Sequence, residues 1–256
     1  MGGHLLAALK NRSEEAVGTY HTRPRTDLIA FDLTQGSEIK RILAEHRPEV
    51  VWMPAAMPDV DRCQREPELS RRINVAAVID LAAHCQAIGA KFVFYSTDYV
   101  FDGTEGPYDE TGVPNPLQIY GEHKLESEKW LLSHMPEALI IRTAWVYSQE
   151  PNPRNFVYRI EQQLASGQPL KAAQDQISTP SEAGELAERY IQAVREGRSG
   201  ILHLVGKQRL SRYAWTVDLA KRFGHDERAV QPILTESLGL IAKRPLNGGL
   251  ITRENI

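Results

Sequence analysis

The sequence predicts an α/β protein, a doubly wound parallel sheet of Rossmann-like type with a small α+β appendage. Three observations predict it. Short apolar runs alternate with stretches of helical period through the first half of the chain. Runs such as Val50-Val51-Trp52-Met53 and Phe92-Val93-Phe94-Tyr95 are continuous rather than alternating, as in strands covered on both faces. From about Ser148 the texture changes to helical segments separated by loops rich in Gln, Pro and Ser, opening with Pro151-Asn152-Pro153.

Taken in order, residues 5–10 read as the end of a short helix. Residues 15–20 and 28–31 read as strands, the second closed by Asp32. Ser37 is placed to cap a helix running to about His46, with Ile39, Ile42 and Leu43 on one face and Pro48 ending it. Residues 50–53 form the next strand. A helix over 74–88 carries Val75, Val78, Ile79, Leu81 and Ala82 at helical spacing and stops at Gly89, which suits the left-handed position after a helix. Strand 91–95, helix 117–132 and strand 138–141 complete the alternation. Further on, helices are expected over 181–196 and 211–223, with a late strand at 201–204.

With 256 residues, 42% hydrophobic and 25% charged, the chain has ordinary globular composition. A net charge of −3 supplies no basic field for nucleic acid or anionic lipid. No run approaches the roughly 20 apolar residues of a membrane span, and the start lacks the basic region of a secretory signal, so a cytoplasmic protein is expected. Cys63 and Cys85 are expected as free thiols. The eight histidines are scattered, no His-Glu-x-x-His or Cys-x-x-Cys spacing occurs, and no metal site is expected from them. A Gly-x-Ser-x-Gly elbow is also missing.

Open α/β sheets bind ligands beyond the carboxyl ends of their strands, which selects Asp32 and residues 53–57, 96–99 and 143–147. Within that set, Ser96-Thr97-Asp98-Tyr99-Val100-Phe101-Asp102-Gly103 precedes Tyr120-Gly121-Glu122-His123-Lys124. Tyr120 and Lys124 are four apart and share one helix face. A free phenol, with a pKa near ~10, is a weak acid or base at neutral pH, and a neighbouring ammonium should favour its phenolate. With the Thr97 hydroxyl at a strand end, the three groups suit reversible proton transfer to a carbonyl oxygen while a hydride reaches its carbon.

These segments resemble the extended short-chain dehydrogenase/reductases, and among them the dTDP-4-dehydrorhamnose reductase family. Further matches are Asp59-Val60-Asp61-Arg62-Cys63, Glu66-Pro67-Glu68, Asn74-Val75, Arg142-Thr143-Ala144-Trp145-Val146-Tyr147, Asn155-Phe156, Asp175-Gln176, Gly200-Ile201-Leu202-His203-Leu204 and Arg244-Pro245. The resemblance implies NADPH- or NADH-dependent reduction of the C4 keto group of a nucleotide-linked 6-deoxy sugar. It implies Tyr120 as proton donor, Lys124 on the nicotinamide ribose, and Thr97 steadying the carbonyl. Asp98 and Trp145 match sugar-nucleotide contacts, Asp32 and Leu33 would meet the adenine, and Ala55, Ala56 and Met57 would line the cofactor. Asp32 also fits a turn cap, and Trp145 a core position, though less well. Arg23 fits either a 2′-phosphate contact or a solvated loop charge. The implied division is residues 1–148 with 177–205 for the dinucleotide and 149–176 with 206–256 for the substrate. The resemblance also allows a homodimer and a Mg²⁺ at its interface, which the sequence does not locate.

One departure stands out. The family's glycine-rich turn joins its first strand to its first helix, and here only Gly3 matches, as the third glycine. The first strand is expected to be missing from the centre of the sheet, and Met1 to be internal to a longer protein. On that expectation two strands lack a neighbour and dinucleotide binding is weakened. Two other readings remain: a non-catalytic regulatory subunit of the methionine adenosyltransferase type, which Thr97 and Trp145 disfavour, and another nucleotide-sugar reductase or epimerase.

Overall fold

The computed structural model describes residues 1–22, 24–150, 152 and 155–253. The chain opens with helix α1 (Gly2–Asn11), the two-residue strands β1 (Thr19–Tyr20) and β2 (Ile29–Ala30), helix α2 (Gly36–His46) and strand β3 (Val50–Met53). The short helices α3 (Val60–Arg65) and α4 (Pro67–Arg71) run through a π turn at Arg72–Ala76 into α5 (Ala77–Ala87). Strand β4 (Lys91–Thr97), helix α6 (Ile119–His134) and strand β5 (Leu139–Thr143) follow.

The second half holds β6 (Val146–Tyr147), α7 (Phe156–Ala165), β7 (Leu170–Ala173), β8 (Ile177–Ser178), β9 (Ser181–Glu182) and α8 (Ala183–Arg195). It ends with β10 (Gly200–His203), β11 (Leu210–Ser211), α9 (Arg212–Arg222) and β12 (Val230–Ile233).

Strands β10, β5, β4 and β3 form a parallel sheet in that order. The predicted parallel, doubly wound character is therefore present. β1 and β2 pair with each other in a separate parallel ribbon, and β3 has no strand on its second edge among the described residues.

Strand side chains alternate between two layers. Phe92, Phe94 and Ile140 face a core shared with Ile39 and Leu43 of α2, Val78, Leu81 and Cys85 of α5, and Leu131 of α6. Val93, Tyr95, Leu139 and Ile141 face the other way, onto Leu186, Tyr190 and Ala193 of α8. Burial on both faces explains why these strands read as continuous apolar runs. On the far side of α8, Leu5 and Ala8 of α1 pack against Ala187 and Ile191. A separate core joins Val157, Ile160 and Leu164 of α7, Leu170 of β7, Trp215 and Leu219 of α9 and Val230 of β12.

Several predicted boundaries move. The helix expected from residue 74 is the last piece of a run that starts at Val60, with Pro67 at the first turn of α4. Ser37 does not cap α2: the cap is Gln35, which makes no side-chain hydrogen bond there. Gly89 is left-handed just past α5, as its position suggested, with φ of 73°. Both cysteines are free and buried. No helix among the described residues is long and apolar enough to cross a membrane.

Candidate active site

The carboxyl end of β4 and the first turn of α6 meet because α6 has almost no side chain where they touch. A Cβ on Gly121 would lie 2.1 Å from the Tyr99 carbonyl oxygen, so only glycine permits this approach. Gln118 starts the helix, its side-chain oxygen accepting a hydrogen bond from the Gly121 amide at 2.6 Å. The helix then delivers Tyr120 to the strand end, its ring edge-on to Tyr99 with centroids 6.2 Å apart.

The Thr97 hydroxyl lies close enough to the Tyr120 phenol to favour its ionised form. Thr97 Oγ1 also donates to Asp98 Oδ1 at 3.3 Å and accepts from the Tyr99 amide at 3.2 Å. The expectation that Lys124 would favour the phenolate is corrected. Burial raises the phenol pKa, the Asp98 charge adds to the rise, and the nearby Thr97 hydroxyl opposes it only in part. Lys124 is 2% exposed, and burial brings its ammonium down to about 7, with the Glu128 charge acting the other way. Its Nζ sits 4.0 Å from the centre of the Phe94 ring. The corner thus holds a protonated phenol beside an amine close to neutrality, both governed by loss of water.

Glu128, one turn beyond Lys124, is bound by Arg142 of β5 through contacts of 2.6 and 3.0 Å, both side chains buried. This pair ties α6 to the sheet directly beneath the site.

Asp98 is not laid open to a ligand. It is buried, accepts from Ser178 Oγ of β8 at 2.7 Å as well as from Thr97, and burial raises its carboxyl to about 6. It links the end of β4 to the second half of the chain, a role invisible until Ser178 is placed beside it. Trp145 sits at the seam with the α7–α9 core, left-handed at φ 39° and half-buried. Its ring is stacked near Trp215 and lies 3.4 Å from the Arg212 guanidinium.

Among the cofactor positions, Ala55 is exposed, Ala56 half-buried and Met57 buried. Asn74, in the π turn, clamps Met57 from both sides, accepting from its amide at 2.9 Å and donating to its carbonyl at 3.1 Å. Leu33 is half-buried, with its side chain packed against the main core. Asp32 forms the turn cap: its Oδ1 accepts from the Thr34 amide at 2.9 Å and hydroxyl at 2.8 Å. A Cβ on Gly3 would touch nothing within 4 Å, so packing gives no reason for glycine there, whereas one on Gly2 would meet Pro54 at 3.2 Å. Arg23 lies outside the described residues.

The nicotinamide end of a dinucleotide fits this donor set. The Lys124 ammonium has no hydrogen-bond acceptor or carboxylate paired with it among the described residues, and a ribose hydroxyl would supply one beside Tyr120. For the Mg²⁺ that the resemblance allowed, no group of three or more His, Cys, Asp or Glu among the described residues is arranged to hold a metal ion.

Sequence reasoning passed over Gly121, Gln118, Ser178 and Arg212. The Tyr120-Gly121 pair was a usable signal for a close helix approach; the other three carried none.

A family model described as RmlD substrate binding domain matches residues 1–255. A probable low-salt glycan biosynthesis reductase of Haloferax volcanii is 31% identical over 252 residues, 96% of this chain and 84% of that protein. Methionine adenosyltransferase 2 subunit beta of Danio rerio is 28% identical over 98% of this chain and 79% of its own length. The crystal structure of dTDP-4-dehydrorhamnose reductase from Bacillus anthracis in complex with NADP superposes with a TM-score of 0.81, at 27% identity, over 87% of this chain and 79% of that one.

Proposed function

The chain belongs to the RmlD substrate binding domain family, and from that membership we propose that it is an NAD(P)H-dependent reductase of the C4 keto group of a nucleotide-linked 6-deoxy sugar, of the dTDP-4-dehydrorhamnose reductase type. The observation that carries the reading is the placement of Tyr120 and the buried Lys124 one turn apart on α6, beside Thr97 at the end of β4, with Nζ of Lys124 over the Phe94 ring of that strand. Lys124 would hold a nicotinamide dinucleotide at its ribose, and that group would supply the hydride for the carbonyl carbon. Tyr120, kept protonated by burial, gives its proton to the carbonyl oxygen. Thr97, whose single O–H proton goes to Asp98 in the free chain, turns it to that same oxygen and holds it in line with the phenol. Lys124, poised near neutrality, holds the ribose hydroxyl and can restore the proton that Tyr120 loses. The reading places the enzyme in the cytoplasm, where NADPH is available.

Oxidation of NADPH in the presence of dTDP-4-dehydro-6-deoxy-L-mannose tests it. Tyr120→Phe should lower kcat by about a thousandfold while NADPH still binds. Full turnover by that variant overturns the assignment of the proton donor.

The similarity to methionine adenosyltransferase 2 subunit beta supports a second reading, a non-catalytic partner of such a synthetase. Co-purification with a methionine adenosyltransferase catalytic chain, together with no turnover of any 4-keto sugar nucleotide, would select it.

A further inference from the structure

His123 stands on α6 between Tyr120 and Lys124, is 8% exposed, and reaches into a chain of buried polar groups. Its Nδ1 lies 2.9 Å from the Ser70 hydroxyl of α4. Ser70 Oγ in turn accepts from the Asn74 side-chain amide at 3.2 Å. Asn74 is the residue that clamps the Met57 backbone at both its amide and its carbonyl, at 2.9 and 3.1 Å. One turn beyond His123, the Ser127 hydroxyl donates to the Asn74 carbonyl at 2.7 Å. The relay thus ties the helix that carries Tyr120 and Lys124 to the loop after β3, through the π turn.

The clamp sets the direction of each proton. Asn74 turns its oxygen to the Met57 amide and its nitrogen to the Met57 carbonyl, which leaves its second N–H for Ser70. Ser70 therefore accepts from Asn74 and gives its one proton to the imidazole, whose Nδ1 receives it in the neutral ring. Protonated, His123 becomes a donor to the same hydroxyl, and the Ser70 proton loses its acceptor. Ser70 and Asn74 are 0% and 1% exposed, so bulk water offers no substitute, and the nearby Cys63 sulfur is a weaker acceptor.

Burial holds the imidazole below its ordinary 6.5, with Arg71 of α4 acting the same way and Glu126, Glu122 and Glu68 opposing. Those are the charges bearing on it from α6 and α4, and Arg71 is paired with Glu126. Toward α3 the relay meets the Cys63 thiol, which donates to the Met57 carbonyl at 3.3 Å.

We propose that His123 is a positioning residue for the dinucleotide. Unprotonated, it accepts the Ser70 proton, and through Ser70 and Asn74 it fixes the Met57 backbone where the cofactor lies against it. The proposal rests on the reductase reading above and adds a control on how firmly the site holds its dinucleotide, exerted by a side chain outside the Thr97, Tyr120 and Lys124 set.

Calorimetric titration with NADP⁺ and NAD⁺ from about pH 5 to about pH 8 tests it on the whole chain, with no need for turnover. NAD⁺ lacks the 2′-phosphate, whose own titration falls in that range. Lys124 and Asp98 titrate near 7 and near 6 in every variant, so the reading is the difference between chains. Wild-type affinity for the tighter dinucleotide should fall as pH drops below 6.5, about fivefold more than in His123→Asn, whose side-chain oxygen stands in for Nδ1 and takes up no proton. At about pH 7.5, His123→Asn should bind within about twofold of the wild type, and His123→Leu about fivefold more weakly. Identical pH profiles in the wild type and His123→Asn overturn the proposal, as does full affinity in His123→Leu. If His123→Leu lowers the thermal midpoint, the comparison of the two pH profiles decides. Binding of neither dinucleotide by the wild type overturns it as well. Failure of the reductase reading alone would look different, as His123-dependent dinucleotide binding without reduction of any 4-keto sugar nucleotide.

Discussion

The corner around Tyr120 and the margin around Asp32 both lie at carboxyl ends of parallel strands, yet they are built by opposite means. The corner stands on β4 and β5, whose side chains fill two cores, and a buried ion pair between Glu128 and Arg142 fastens α6 beneath it. The margin hangs on two-residue strands that, among the described residues, pair only with each other, and the hydrogen bonds of Asp32 stay within one local turn, with His21 3.9 Å from its second carboxylate oxygen. Position in the corner is therefore set by long-range packing, and in the margin by neighbours two residues away. A ligand that touches both, as a dinucleotide would, meets a rigid end and a compliant one.

Four changes test how far that difference reaches. Glu128→Ala leaves Arg142 charged and buried without its carboxylate partner, and should lower the unfolding free energy by about 3–5 kcal/mol in a denaturant titration. A loss below about 1 kcal/mol would mean that the pair does not fasten the corner.

Gly121→Ala places a methyl group against the Tyr99 carbonyl. The expected cost is about 1–3 kcal/mol, with a fall in turnover larger than the fall in stability accounts for, because Tyr120 is displaced from Thr97. Normal kcat in this variant would show that the close approach is not what aligns the two hydroxyl groups.

Stability against pH gives a third contrast. The Asp98 carboxyl stands near 6 in the folded chain against 3.8 for the free group, so folding takes up a proton between those values. Its stabilising contribution is complete below pH 3.8 and disappears as pH rises through about 6. Asp98→Asn should flatten that part of a plot of thermal midpoint against pH. Asp32 is held low by its Thr34 hydrogen bonds, so its contribution runs the other way, present above pH 3.8 and lost as pH falls.

The smallest effect belongs to the margin. Asp32→Ala removes two local hydrogen bonds and should cost about 0.5–1.5 kcal/mol, with kcat unchanged. A fall in kcat as large as that of Gly121→Ala would show that the two regions are coupled.

The strands of the main sheet were legible because burial on both faces leaves a continuous apolar run, and β3 begins and ends where the sequence places it. Helix α6 was legible from its spacing, and with it the shared face of Tyr120 and Lys124. The start of the α3–α5 run was not, since a π turn at Arg72–Ala76 breaks the helical period ahead of Ala77. Trp145 was legible as an aromatic beyond a strand, but Arg212, which gives that ring its partner, lies 67 positions further along and carries no local signal.

By itself the sequence determined the alternation of strands and helices, the strand-end position of Thr97 and the pairing of Tyr120 with Lys124 on one helix face. Those properties follow from periodicity, which acts over a few residues. Only the tertiary structure decided the charge state of that pair, the attachment of Asp98 to Ser178 and the stacking of Arg212 on Trp145. These depend on how much water is excluded and on which distant segments meet, and neither is written in local spacing.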